Sequence, residues 1–199
     1  MATNKTFIFF LVFVLVAMNG SAQNDKSTKV PAWQFHSINQ LGFLEGSDGT
    51  AFQMQTINGV QYKSWFAGVG VGIDNYRFRS IPLFADFRKE FVVGKNYFFA
   101  YGGVGAHFMW LTNKQKTDYH QTNNGADGFS NGLYYDAGIG YQVKLNSRIG
   151  IFVSPGFSHK STEAKLSTPI CPFYGPCYVS IDKYNYALNR LSVMVGVVF

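Results

Sequence analysis

From Trp33 to the C-terminus, apolar and polar residues alternate. In the stretch 133–145, Leu133, Tyr135, Ala137, Ile139, Tyr141, Val143 and Leu145 fall on one side. Tyr134, Asp136, Gly138, Gly140, Gln142 and Lys144 fall on the other. A period of two is the signature of a strand with one apolar face and one polar or small face. Ala67, Val69, Val71 and Ile73 alternate in the same way with Gly68, Gly70, Gly72 and Asp74. So do Leu83, Ala85 and Phe87 with Phe84, Asp86, Arg88 and Glu90. At the end of the chain, Leu191, Val193, Val195, Val197 and Phe199 share one side. Helix-period stripes are absent. Eight strands are predicted, at 33–46, 50–62, 65–77, 82–92, 96–110, 131–145, 148–161 and 184–199. Tight turns are expected at Lys63-Ser64, Val93-Gly94-Lys95 and Asn146-Ser147, with another short connection at Ser47-Asp48-Gly49. The segments 111–130 and 162–183 read as long polar and aromatic loops.

One continuous apolar block interrupts this picture. Residues Phe7 to Ala17 follow Lys5 and precede the small residues Gly20, Ser21 and Ala22. The block is shorter than the roughly 20 residues a spanning helix needs. A basic start, a short apolar core and small residues at its end read as a secretory signal peptide over 1–22, cleaved after Ala22. Residues 23–32 are a short polar leader, and 33–199 form one domain. No Cys lies near the cleavage position, which excludes a lipoprotein signal. The chain is therefore expected to be exported, and any membrane residence beyond the signal must use strands.

Composition narrows what such strands build. The 199 residues are 47% hydrophobic and 18% aromatic but only 14% charged, against a usual charged fraction of roughly 25%. That excludes disorder, and the wealth of Gly, Phe and Tyr argues against a coiled coil. A mean hydropathy of −0.02 argues against a bundle of membrane helices. A soluble barrel of lipocalin type, apolar inside and polar outside, has the same periodicity. The polar side here combines Gly, Tyr, Asp and Arg with few Lys or Glu, too few charges for a water-facing surface. Apolar residues are thus assigned to the outside and polar ones to the lumen of an all-β, eight-stranded antiparallel up-and-down transmembrane β-barrel. Every backbone polar group in such a closed barrel is paired without exposing an edge to lipid. Asp74, Asp86, Arg88, Glu90, Asp136 and Lys144 are expected to form a lumenal charge network, a plug rather than a channel. Gly68, Gly70, Gly72, Gly138 and Gly140 would make room there for Tyr97, Phe99, Tyr101 and Tyr134. Trp65, Phe91, Trp110 and Tyr119 are placed at strand ends, where aromatic girdles belong.

These features together resemble the small eight-stranded outer-membrane barrels of the OmpA-transmembrane-domain and OmpX type. The resemblance covers about 33–199, and its most specific element is the terminal Phe199 on the Leu191, Val193, Val195, Val197 face. It implies residence in the outer membrane of a Gram-negative bacterium, termini on the periplasmic side and long loops outside. It also implies that the C-terminal face is the signal read by the barrel-assembly machinery. It implies little about chemistry.

Candidate chemistry is sparse. Glycine runs such as Gly68-x-Gly70-x-Gly72 lack the spacing and following helix of a nucleotide loop. Cys171 and Cys177, the only cysteines of an exported chain, are expected to form a disulfide. His36, His107, His120 and His159 have no metal-ligand spacing, so neither a metal nor a cofactor is expected. His159-Lys160-Ser161, with Glu163 nearby, resembles the His-x-Ser of outer-membrane lipid A deacylases, but that family's flanking residues are missing. By parity, His159 and Ser161 face lipid near the outer end. Lys114, Lys116, Lys160, Lys165 and Lys183 lie near that end and are candidates for lipopolysaccharide phosphates, with solvated loop charge the simpler reading. A net charge of +6 forms no continuous stripe, which argues against nucleic acid. The expected protein is a monomer in contact with outer-membrane lipids and lipopolysaccharide. It is expected to be non-enzymatic, contributing to membrane integrity or surface contacts through its loops. The alternatives are a deacylase-like lipid A enzyme and a small porin-like pore.

Overall fold

The computed structural model describes residues 33–94, 96–113, 115, 126–146, 149–171 and 173–199. The signal peptide and leader read in the sequence lie outside the described residues, as do Lys114, Lys116, Tyr119 and His120. The strands are β1 (Trp33–Gly46), β2 (Gly49–Tyr62), β3 (Trp65–Asp74), β4 (Ser80–Val93) and β5 (Asn96–Met109). They continue with β6 (Ala126–Phe129), β7 (Gly132–Lys144), β8 (Gly150–Ile170) and β9 (Tyr178–Val198). Each long strand pairs antiparallel with the next. The pairing of β9 with β1 closes the circle, where Ser37 and Phe199 exchange both backbone hydrogen bonds at 2.7 and 3.0 Å. The short β6 precedes β7 and pairs with the same neighbour, β8. Eight staves thus make an up-and-down barrel, as the alternation predicts.

The alternation decides the faces. Leu83, Phe87, Val104, Leu133, Ile139, Leu191, Val193 and Val195 are all exposed on the outside, Ile139 at 66%. Asp74, Asp86, Arg88, His107, Lys160 and Arg190 are buried inside, Asp74 at 0%. A continuous apolar exterior around a polar interior inverts a soluble protein and matches the solvent order of a bilayer. Cation–aromatic pairs mark two edges of this belt. Lys89 Nζ lies 4.3 Å from the Trp65 ring, and Arg79 lies 3.9 Å from the Trp110 ring. From Arg79 to Lys89 the chain advances along β4 at roughly 3.3 Å per residue. With a tilt of ~40°, the edges stand about 25 Å apart, the height of a transmembrane barrel's apolar band. Trp33 packs against Tyr62, tilted with ring centroids 4.8 Å apart, beside the same edge as Trp65. Phe91 is exposed beyond Lys89, as a girdle residue should be.

The two ends of the barrel differ. At one, the terminal end, lie the start of β1, the chain's C-terminus and the β2–β3 and β4–β5 turns. Lys63 occupies the left-handed region (φ 56°) in the β2–β3 turn. At the other, β8 and β9 continue as a hairpin past their neighbours. This corrects the expectation of a loop over 162–183: β8 reaches Ile170 and β9 begins at Tyr178, paired residue for residue from Ile170↔Tyr178 downward. The reason is that above the belt lipid no longer selects one face: from Tyr178 to Asn185 residues of both parities are exposed or half-buried, so the apolar–polar alternation is lost while backbone pairing is kept. The segment 111–130 likewise contains a strand, β6, joined to β8 through Gly128↔Lys165 and Phe129↔Ala164.

Candidate functional site

The lumen is filled in layers. Near the hairpin end, Asp74 of β3 accepts from two cations. Its Oδ2 takes Nη1 of Arg190, and its Oδ1 lies 3.2 Å from Lys160 Nζ. Lys160 also donates to the Phe78 carbonyl at 2.8 Å and to Ser80 Oγ at 3.2 Å, while Arg190 Nη2 reaches Ser158 Oγ. Tyr76 folds inward beneath the β3–β4 connection, its N–H donating to Asp74 Oδ1 at 2.8 Å. Its ring lies 5.5 Å from the Arg190 guanidinium. His107 donates from Nε2 to the Ser161 carbonyl at 2.6 Å.

A second layer crosses the middle. Arg88 grips Asp86 with Nε at 2.8 Å and Nη2 at 3.3 Å. Its guanidinium sits among the rings of Phe99, Tyr101 and Phe152, 5.4 to 5.6 Å from each centroid. Gln55 donates to the Tyr134 hydroxyl at 2.8 Å, and that hydroxyl donates to Asp136 Oδ2 at 3.0 Å. Gln40 and Gln55 join the two groups by a side-chain hydrogen bond. Three acids (Asp74, Asp86, Asp136) therefore face three bases (Arg88, Lys160, Arg190), a balance that burial demands.

Below this, Ile38, Phe66, Phe99 and Phe152 pack a hydrophobic layer. Glycines admit the rings: the Phe99 ring occupies the place a Cβ on Gly140 would take, Phe84 that of Gly70, and Tyr101 that of Gly138. A cavity of about 20 Å³ remains beside His36 and Glu90, room for about one water. Lys144 meets Glu90 at 3.6 Å, both partly exposed at the terminal end.

Of the predicted lumenal charges, Asp74, Asp86, Arg88 and Asp136 are buried inside, and Glu90 with Lys144 guards the mouth. The strongest members at the hairpin end, Lys160 and Arg190, are absent from that prediction. Lys160 is a correction: expected among the lysines near the outer end as a candidate for lipopolysaccharide phosphates, it is wholly buried in the lumen. The signal was present, because the parity that turns His159 outward turns Lys160 inward. Of the four aromatics expected against glycines, Phe99 and Tyr101 are there. Tyr134 instead fills the centre against Phe84, and Tyr97 lies at the mouth under Lys144 Nζ at 4.1 Å.

His159 and Ser161 do share the outer face, but no hydrogen bond joins them. His159 stacks on Tyr135 at 4.7 Å and donates from Nδ1 to Asn189 Oδ1 at 2.7 Å. Ser161 Oγ accepts from the Leu133 N–H at 3.3 Å. Cys171 and Cys177 form the disulfide expected, at the hairpin tip. Between them Phe173 and Tyr174 are 93% and 87% exposed. Among the described residues, no group of three or more His, Cys, Asp or Glu is arranged to hold a metal. The residues of the C-terminal face, Leu191, Val193, Val195, Val197 and Phe199, all point outward.

No family model and no curated protein sequence matches the chain. Among solved structures it is similar to Neisserial surface protein A, at 13% identity over 84% of this chain and 96% of that one, with a TM-score of 0.45. It is similar to the outer membrane protein OprG from Pseudomonas aeruginosa, at 14% identity over 83% and 95%, with a TM-score of 0.45. It is also similar to the outer membrane protein AlkL in lipid bilayers, at 12% identity over 90% and 97%, with a TM-score of 0.43.

Proposed function

We propose that this chain is a non-enzymatic outer-membrane barrel of a Gram-negative cell, exported by its N-terminal signal. Its working element is the β8–β9 hairpin, which meets the cell's surroundings while the barrel reinforces the membrane. The observation that carries this reading is the hairpin itself. Two strands run on beyond the barrel to a disulfide-closed tip that displays Phe173 and Tyr174 to solvent. Among the described residues, the part of β9 from Tyr178 to Asn185 pairs with β8 alone. Its other edge is free to add a strand from a partner, a common mode of peptide capture. Tyr178, Val179, Ile181 and Tyr184 are exposed along it. In this reading the Leu191 to Phe199 face serves the barrel-assembly machinery before it meets lipid, and the closed barrel works as a monomer.

The enzymatic alternative has less support, because His159 is committed to Asn189 and Ser161 to a backbone N–H. The pore alternative has less support because paired charges and aromatic rings fill the lumen. The test is to replace 166–182 by an Asn-Gly turn and compare cells displaying either form. Heat-modifiable gel migration should persist while surface adhesion and cell–cell contact fall. Unchanged contacts in the truncated strain, with altered lipid A on full deletion, would overturn the reading in favour of an enzyme.

A further inference from the structure

The outer face of the hairpin carries an arrangement that the barrel does not require. Lys165 and Lys183 are direct cross-strand partners. Directly opposed residues on one face have Cβ atoms roughly 5 Å apart, and like charges so placed destabilise a sheet. Lys183 has Glu163 at 3.8 Å, but Lys165 has no acidic partner among the described residues. Both belong to the column that begins in the lipid-facing belt with Phe157 and Leu191 and rises through His159, Asn189, Ser161 and Ala187. Immediately below the lysines, a groove of about 280 Å³ is lined by Asn131, Ser161, Glu163 and Asn185. It lies where the strand is interrupted at Ser130 and Asn131, between β6 and β7. Among the described residues the Asn185 side chain has no hydrogen-bond partner, and the Asn131 amide uses only its oxygen, on the Met109 N–H at 3.2 Å. Amide and carboxylate groups converging on an open groove suit sugar hydroxyls, and two lysines on directly opposed positions, both able to reach one anion, suit a phosphate.

Height selects the source of that phosphate. At roughly 3.3 Å per residue and a ~40° tilt, Lys165 stands about 15 Å above His159, the upper edge of the belt on β8. An ordinary headgroup layer adds only about 5–8 Å beyond the hydrocarbon on each side. The ligand must therefore carry phosphorylated sugar well above its acyl chains.

We infer that Lys165, Lys183, Asn131 and Asn185 form a binding site for a phosphate-bearing saccharide borne on a membrane lipid. This rests on the membrane reading above and goes beyond it by naming the site and the ligand chemistry. The experiment uses the full mature chain in nanodiscs of phospholipid alone, with lipopolysaccharide or dephosphorylated lipopolysaccharide titrated in and inorganic phosphate as a separate arm. Wild type should bind lipopolysaccharide, and K165Q/K183Q should bind it roughly tenfold or more weakly, as should wild type with the dephosphorylated form. K165R/K183R should retain affinity, and Asn185→Leu should weaken it without exposing the barrel to protease. Inorganic phosphate as tight as lipopolysaccharide would overturn the lipid-borne source. Equal binding by wild type and K165Q/K183Q, both firmly inserted, would overturn this inference alone. A wild-type chain stripped from the bilayers by alkaline carbonate would overturn the membrane reading and this inference with it.

Discussion

Asp74 and Arg190 are 116 positions apart in the chain, yet they form a wholly buried ion pair near the hairpin end of the lumen. Asp74 also receives Lys160, so one carboxylate holds two cations. Removing the acid should cost more than removing either base. Asp74→Asn would leave two buried cations uncompensated and should lower stability by about 3–5 kcal/mol. Lys160→Met keeps the Asp74–Arg190 pair and should cost clearly less. Urea midpoints followed by the shift from compact to extended migration on gels would rank the two, and the reverse order would show that the cations do not share Asp74.

The packed lumen predicts a closed barrel. Arg88 with Asp86, the Tyr134–Asp136 pair and the aromatic layer of Phe66, Phe99 and Phe152 stand in successive layers across the lumen, in the path of a hydrated ion. In planar bilayers the reconstituted chain should give conductance no different from bare membrane. Steady stepwise openings at neutral pH would contradict this.

Gly140 is expected to tolerate no side chain while Phe99 is present, because the ring already fills the space. Gly140→Val should destabilise the barrel by about 1–3 kcal/mol through overpacking. Combining it with Phe99→Ala should recover part of that loss, so that the pair is non-additive in a double-mutant cycle. Strict additivity would mean that the two residues do not compete for space.

Reduction of Cys171–Cys177 should act at the tip alone. The ring lies beyond every strand of the barrel wall, so heat-modifiable migration should be unchanged. Cleavage by chymotrypsin at Phe173 or Tyr174 should rise several-fold in Cys171→Ser/Cys177→Ser. Loss of barrel migration in that variant would show that the hairpin supports the whole fold.

His159→Ala and Ser161→Ala should leave lipid A unchanged by mass spectrometry. His159 is held by Asn189 and Tyr135, and Ser161 by the Leu133 N–H. A change in acyl-chain number in either variant, reproduced by deleting the gene, would establish the catalytic alternative.

Within the belt, strand positions, lumenal faces and the outward Leu191 to Phe199 column were legible in the sequence, because lipid outside and a filled lumen inside impose opposite chemistry on alternate residues. Parity also turns Lys160 inward, because its neighbour His159 faces out. Above the belt that signal vanishes. On β9 from Tyr178 to Asn185 residues of both parities are exposed or only half-buried, so nothing in their order separates a paired strand from a loop, and backbone pairing decided it. Nor does spacing reveal which charges meet. Lys160 and Arg190 sit side by side on the β8–β9 hairpin, but Asp74 of β3 reaches them across the lumen only when β9 closes on β1. Which acid satisfies which base is therefore a property of the closed barrel, where desolvation makes every buried charge find partners across the lumen.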